Sequence, residues 1–122
     1  MLAAVAQSTR KRVLIIEPQT LFAPYFAAAI AASGLDVVGV DPAPRAALLR
    51  RLRPDIVVLD ASYLAAPLQR IRALRARLPA AHLVIYAPGA DGAWPLLAVG
   101  LGADVVIGPR AGEPELLAAL AA

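Results

Sequence analysis

The chain has 122 residues, a formal net charge of +3, 60% hydrophobic residues and no cysteine. This length predicts one domain with a real core, and without cysteine neither disulfides nor thiol chemistry are available, which suits the cytoplasm. The N-terminal segment carries its charges after its apolar part, the reverse of a signal peptide. The uncharged span 18–35 is mostly alanine and small residues, with two prolines and a glycine, so we expect no membrane-spanning helix.

The first half of the chain alternates strand and helix patterns. We predict that residues 1–9 form a loose tail and that residues 10–122 form the domain. The apolar run 13–17 predicts a buried strand, and residues 21–33 a helix that Thr20 caps and Gly34 ends. A short strand at 36–40 follows. After a proline-rich turn, a helix carrying Leu48, Leu49 and Leu52 runs to Pro54.

The stretch PDIVVLDAS, residues 54–62, predicts the central strand of the domain. Its four consecutive apolar residues, three of them β-branched, are typical of a strand buried on both faces of a parallel sheet. Asp60 ends this strand, where ligands and chemistry lie in open α/β sheets. From the strand alone, Asp60 is either a functional acid or the polar residue at which the strand reaches water.

The second half repeats the alternation. A helix begins with Pro67 at its first position, and strand 83–87, helix 92–101, strand 104–107 and helix 113–121 follow. Five strands alternating with five helices predict a flavodoxin-like, doubly wound parallel sheet in the order 2-1-3-4-5. Glu17 and Asp60 then end neighbouring strands and face one crevice. We interpret His82 as the start of the fourth strand, and Tyr25, Tyr63 and Tyr86 as core or crevice-lining residues.

Arginine supplies eleven of the twelve basic residues. Its clusters at 50–53 and 70–77 have two interpretations, a phosphate-binding surface for nucleic acid or a solvated helix face. On a helical wheel Leu68, Ile71, Leu74 and Leu78 share one arc and the arginines lie outside it, with Arg75 near its edge. This favours the solvated face, so we expect no direct nucleic-acid binding and no membrane binding.

Several segments resemble one family in order and spacing. RVLIIEPQTLF, GLDVVGV, RPDIVVLD, HLVIYA, GADVVIGP and EPELLAAL look like the receiver domain of bacterial response regulators, from about Arg12 to the C-terminus. The resemblance is strongest to receivers that precede a helix-turn-helix output domain. It implies that Asp60 occupies the phospho-acceptor position, and it raises the expectation of a cis Gly108–Pro109 bond.

The sequence departs from this family where the family's phosphorylation chemistry lies. Glu17 and Pro18 stand where the family has two adjacent acids that hold Mg²⁺, and Leu64 and Leu68 replace a proline and a glycine. The family's Ser/Thr, lysine and aromatic switch are replaced, in that order, by Ala87, Gly108 and Val105. Mg²⁺ prefers octahedral oxygen ligation, and phosphoryl transfer depends on positioning and charge stabilisation. We therefore expect no cofactor, and weak or absent Mg²⁺ binding.

Three functions remain open. The first is a degenerate receiver, a phosphorylation-independent protein-interaction or dimerisation module in bacterial signal transduction. The second is a receiver still phosphorylated at Asp60 within a two-component system, and the third is a small-molecule sensor, because Ala87 and Gly108 leave space in the crevice. We expect no enzymatic activity. The sequence is compatible with a whole protein and with a fragment of a longer regulator.

The fourth predicted helix has apolar residues all round. Trp94, Leu97, Ala98 and Leu101 fill one arc of a helical wheel, while Leu96 and Val99 lie on the opposite one. Because both arcs cannot face the sheet, one should be exposed, and exposed contiguous apolar surface usually marks an interaction site. We predict a homodimer or partner complex through the fourth helix, fifth strand and fifth helix.

Overall fold

The computed structural model of the chain describes residues 10–18, 23–61, 66–87, 92–108 and 112–122. The predicted tail at 1–9, the proposed cap Thr20, Tyr63, Leu64 and the expected cis Gly108–Pro109 bond fall at least partly outside these residues. Among the described helices, none has both the length and the apolar character required to cross a membrane.

The described strands form one five-stranded parallel sheet. They are β1 (Arg12–Ile16), β2 (Asp36–Asp41), β3 (Ile56–Asp60), β4 (His82–Tyr86) and β5 (Val105–Ile107). The order across the sheet is β2-β1-β3-β4-β5, and every neighbouring pair is parallel. This confirms the predicted flavodoxin-like topology, with β3 at its centre. Every residue of β3 is buried, as its continuous apolar run indicates.

Helices cover both faces of the sheet. They are α1 (Ala23–Ala32), α2 (Ala46–Leu52), α3 (Pro67–Arg77), α4 (Trp94–Gly100) and α5 (Glu113–Ala121). Alternate residues of the strands point to opposite faces, so the core divides into two layers. Leu14, Val57 and Leu83 pack with α2, α3 and α4, whereas Ile15 and Val58 pack with α1 and α5.

Two predicted helix boundaries are confirmed. Gly34 follows α1 with φ +93°, a conformation that glycine adopts without a Cβ penalty, and its N–H donates to the Ala31 carbonyl at 3.1 Å. Pro67 is the first residue of α3. His82 begins β4, as predicted, and its Nε2 lies 2.7 Å from the Ala119 carbonyl oxygen.

Helix α4 is shorter than the predicted 92–101 and ends in a Schellman motif. The N–H of Gly102 donates to the Val99 carbonyl, and the N–H of Ala103 to the Ala98 carbonyl, both at 3.0 Å. Gly102 has φ +122°. The tight turn that it makes leads directly into β5, which is three residues long rather than the predicted four.

The arginines of α3 divide into two groups. Arg70, Arg72 and Arg77 are exposed, in agreement with a solvated face, whereas Arg75 is half-buried and bonded to neighbouring turns. Ile71 and Leu74 point into the core, as the helical wheel predicts.

Candidate functional site

Glu17 and Asp60 lie side by side at the carboxyl edge of the sheet. Strands β1 and β3 pair in register with Ile16 opposite Leu59, which places the next residues, Glu17 and Asp60, opposite each other. Both carboxylates are buried: Glu17 is 2% exposed and Asp60 is 7% exposed. The predicted convergence of these two acids on one crevice therefore follows from the strand register.

Asp41 is a third buried carboxylate at this edge, although the sequence pattern indicates only a turn there. It ends β2 opposite Ile16. Its side chain accepts hydrogen bonds from the Ala43 N–H at 3.0 Å and from the Arg45 guanidinium. Burial raises the pKa of Asp41, but these hydrogen bonds and the Arg45 charge outweigh burial and hold its pKa below the usual value. Asp41 thus shapes the turn before α2.

Tyr86 is the aromatic member of the site. It pairs with Asp60 across β3 and β4. Desolvation raises the pKa of the Tyr86 phenol, and the negative charges of Asp60 and Glu17 raise it further. The phenol therefore stays protonated and provides a hydrogen-bond donor beside the two carboxylates.

Three positions that depart from the receiver pattern follow strands at this edge, and a fourth lies within β5. Pro18 follows Glu17 and offers no side-chain ligand, and Ala87 follows β4 and is 4% exposed. Gly108 follows β5, and a Cβ added there would meet no heavy atom within 4 Å. Val105, at the position of the aromatic switch, is half-buried against the α1 and α5 core layer.

These residues do not match the Mg²⁺ site of the receiver family. Glu17 and Asp60 supply carboxylate oxygens, but Pro18 removes the second acid after β1 and Ala87 carries no hydroxyl. Mg²⁺ requires near-octahedral oxygen ligation. Within the part of the chain that the structure describes, no group of three or more His, Cys, Asp or Glu residues is placed to hold a metal ion.

A cavity of about 260 Å³ opens at this carboxyl edge, on the α1 and α5 side of the sheet. Glu17, Asp60 and Tyr86 line it together with Tyr25 and Phe26 of α1. Tyr25 and Tyr86 are thus crevice-lining residues, as the sequence predicts. Phe26 packs edge-on against both rings, with centroid distances of 5.9 Å to Tyr25 and 6.1 Å to Tyr86.

The apolar residues of α4 lie away from this crevice. Leu96, Leu97 and Val99 are 77%, 53% and 51% exposed. Trp94 and Leu101 are half-buried and pack against the core. The helical wheel placed Leu97 on the same arc as Trp94, so its exposure corrects that grouping: Ala98, which is fully buried, takes the inward position. Strand β5 contacts both α4 and α5, which pack on opposite faces of the sheet.

Comparison with known proteins finds matches among solved structures only. No protein-family model matches the chain, and no curated protein matches its sequence. Solved structures match it over nearly its whole length. A LuxR-family two-component response regulator from Aurantimonas sp. SI85-9A1 is 24% identical, with a TM-score of 0.77, covering 90% of this chain and 81% of that one.

Two further structures show the same similarity. The chemotaxis protein CheY4 of Vibrio cholerae is 14% identical, with a TM-score of 0.78, covering 93% of this chain and 98% of that one. A LuxR-family DNA-binding response regulator from Staphylococcus aureus is 16% identical, with a TM-score of 0.79, covering 91% and 96%. At these identities the similarity establishes fold alone. The chain has the CheY-like, flavodoxin-type fold of response-regulator receiver domains.

Proposed function

We propose that the chain is an atypical receiver domain that acts as a phosphorylation-independent protein-interaction module in bacterial signalling. The observation that carries this proposal is the exposed apolar surface of α4, formed by Leu96, Leu97 and Val99. We call these three residues the α4 patch. The altered carboxyl edge of the sheet supplies the second part of the argument.

The carboxyl edge retains the acceptor but not its supporting groups. Asp60 ends β3, as a phospho-acceptor would, but Gly108 places no cation opposite an incoming phosphoryl group and Ala87 offers no hydroxyl. Phosphoryl transfer depends almost entirely on positioning and on stabilising developing charge. With Pro18 in place of an acid, an aspartyl phosphate would form slowly. Val105 lacks the aromatic ring that, in the receiver family, changes position when the aspartate is phosphorylated.

The α4 patch supports the interaction role. Helix α4 has no charged side chain. Complete burial of a fully exposed leucine or valine gains about 1.5–3 kcal/mol, and because these three side chains are already partly buried, each would gain less than that on contact with a partner. Grouped apolar exposure of this kind marks interaction surfaces. The receiver resemblance agrees, because in that family the face formed by the fourth helix, fifth strand and fifth helix carries dimer and output contacts. The occupant we propose is a protein, either a second copy of this chain or another signalling protein.

Self-association tests the first of these occupants. Light scattering coupled to size exclusion, over a wide concentration range, should show a concentration-dependent dimer. Leu96→Glu should abolish it, since an ionised carboxylate cannot be desolvated cheaply at an apolar contact. Ala73→Glu, on the exposed surface of α3, is the matched control and should leave the dimer intact.

A second experiment tests independence from phosphorylation. Incubation with a small phosphodonor and Mg²⁺, or with beryllium fluoride, should leave the protein unlabelled and its amide spectrum unchanged. Stoichiometric labelling that Asp60→Asn removes would favour instead a receiver that is still phosphorylated. A protein that stays monomeric at every concentration, and whose partner capture is insensitive to Leu96→Glu, would contradict the interaction role.

A further inference from the structure

A groove of about 500 Å³ lies between the carboxyl ends of α2 and α3, at the amino edge of the sheet. Apolar residues line it, among them Leu49 and Leu78. Three exposed arginines border it, Arg50 and Arg53 at the end of α2 and Arg77 at the end of α3. An adjoining concavity shares both leucines and two of these arginines and extends the groove between the helices.

The charges of these three arginines are not neutralised within the groove. Within the described part of the chain, none of their guanidinium groups forms a hydrogen bond or an ion pair. No acidic residue occurs among the described residues that line the groove. Asp55, the acid closest in sequence, accepts the Arg12 N–H at 2.8 Å. The groove therefore carries a local excess of positive charge.

Two other arginines already stabilise the carboxyl ends of α2 and α3. Arg12 donates from Nε and Nη2 to the Leu52 carbonyl, at 3.1 and 2.6 Å, and Arg75 donates from Nη1 to the Leu78 carbonyl at 3.0 Å. A cation near a helix C-terminus compensates the helix dipole. Because Arg12 and Arg75 fill this role, the side chains of the groove arginines are available to an external anion.

Arg53 has an unusual backbone conformation at the end of α2. Its φ is +46°, in the left-handed region that glycine adopts without steric cost and an L-residue does not. Its guanidinium makes no contact among the described residues that would offset this strain. A strained residue of this kind is often retained for a function of its side chain.

The lining of the groove indicates the class of partner. Grooves for single-stranded nucleic acid combine basic residues with aromatic rings that stack on the bases, and no aromatic residue lines the described groove. Phosphate sites use N–H groups at helix N-termini, whereas two helix C-termini meet here. Arginine pairs with carboxylates in a bidentate geometry, and the apolar lining suits an apolar side chain. Both features are those of a protein contact.

We propose that this groove binds an acidic segment of a partner protein. Carboxylates of the segment pair with Arg50, Arg53 and Arg77, and one of its apolar side chains packs against Leu78. The inference rests on the proposed function in taking the partner to be a protein. It uses a different surface, since no residue of the α4 patch lines the groove.

Matched probes separate charge, apolar contact and nucleic-acid binding. Isotope-labelled protein is titrated at low salt with a short glutamate-rich peptide that carries a central leucine, and amide shifts are followed by NMR. We expect saturable shifts centred on the ends of α2 and α3, and weaker binding as salt is added, because salt screens exposed charges. The same peptide with glutamine for glutamate should not bind. A peptide with serine for leucine, and oligothymidine of equal charge, should bind more weakly.

Substitutions of neighbouring arginines provide the matched test of location. Arg50→Ala and Arg77→Ala should each weaken peptide binding by about two- to fivefold, the range for one exposed ion pair. Arg51→Ala and Arg72→Ala, at exposed positions that do not line the groove, should bind as the parent does. Arg53→Gly should also weaken binding, while its midpoint of urea unfolding stays the same or rises, because glycine relieves the left-handed backbone.

Several results would overturn the inference. One is the absence of saturable shifts at millimolar peptide. Others are binding of the glutamine peptide or of oligothymidine as tight as that of the acidic peptide, and equal peptide affinities of the Arg50→Ala and Arg51→Ala variants. Unchanged peptide affinity of Arg53→Gly also counts against it.

The α4 role is distinguished from this inference by Leu96→Ser, which shortens an apolar side chain of the α4 patch without adding charge. This variant should weaken self-association and leave peptide affinity unchanged. Absent peptide binding with intact self-association overturns the groove inference alone. Peptide binding that persists in a protein without self-association supports the groove and contradicts dimerisation through α4.

Discussion

The guanidinium of Arg75 donates a hydrogen bond to the Asp104 carboxylate at 2.6 Å and thereby ties α3 to the start of β5. The same guanidinium donates from Nε to the Gly102 carbonyl at 2.9 Å and from Nη1 to the Ala81 carbonyl at 2.8 Å. Asp104 also accepts the Leu83 N–H at 2.8 Å. The Arg75 guanidinium thus donates hydrogen bonds to carbonyls in the turn before β4 and in the turn before β5, both at the amino edge of the sheet.

Replacing Arg75 by alanine should destabilise the protein by about 2 kcal/mol or more, because several turn carbonyls and the Asp104 carboxylate lose a charged donor. Arg75→Lys should recover little, since an ammonium cannot reproduce the planar fork of donors. Urea unfolding measures both. Arg72→Ala, at an exposed position of the same helix, is the control and should change the stability by no more than about 0.5 kcal/mol. Equal losses for Arg75 and Arg72 would show that this network contributes nothing.

The Schellman turn after α4 leads to a second prediction, which concerns stability. A Cβ at Gly102 would lie 2.5 Å from Arg75 Cγ, and φ at this residue is +122°. Gly102→Ala should therefore destabilise the fold by more than about 1 kcal/mol, since an L-residue is strained there and Arg75 is displaced. Gly100→Ala, at the end of α4 with nothing within 4 Å of the added Cβ, should be neutral or slightly stabilising. Thermal unfolding of the two alanine variants distinguishes these effects.

Asp41 gives the stability a pH dependence of defined sign. Because its pKa is lowered in the folded state, its carboxylate contributes stability above the unfolded pKa of about 4, and this contribution is lost as the pH falls toward the lowered folded pKa. Asp41→Asn should thus be less stable than the parent at pH 7, by on the order of 1 kcal/mol because its partner Arg45 is exposed. The difference should shrink below about pH 4. A difference independent of pH would contradict this role of the Asp41 charge.

Restoring the receiver pattern tests the account of the carboxyl edge. Pro18→Asp, Ala87→Thr and Gly108→Lys together should allow labelling of Asp60 by a small phosphodonor with Mg²⁺, and more than any single change does, because these groups act as a unit. A Cβ at Gly108 meets nothing within 4 Å, so the first atom of the lysine side chain fits without a clash. Adding Asp60→Asn to the triple variant is the control and should abolish labelling. Equal labelling of the parent and the triple variant would contradict the account.

The sheet was predictable because its central strands carry a strong and simple signal. The apolar runs of β1, β3 and β4 are buried on both faces, and alternation with helices leaves few topologies. The convergence of Glu17 and Asp60 followed from that topology. The position of Leu97 did not, because α4 is two turns long and apolar all round, so its pattern does not fix which side faces the sheet.

The network around Arg75 was not predictable from the sequence for a different reason. Besides the Asp104 carboxylate, its acceptors are main-chain carbonyls at Leu78, Pro79, Ala81 and Gly102, which any residue type supplies. Only the tertiary arrangement brings Gly102 and Asp104 to α3. Asp41 was missed similarly: an aspartate before a proline-rich turn is common, and its burial depends on how β2 pairs with β1.

The two outer strands of the sheet limit the ways in which this protein can associate with other molecules. Strand β5 offers only three residues, and β2 begins and ends with aspartate. Short or charged outer strands are poor templates for main-chain pairing with another molecule. Copies of this chain are therefore discouraged from joining into a continuous intermolecular sheet, the route to irreversible aggregation. The association proposed above would use side chains on helical surfaces, where a contact forms and dissociates with concentration.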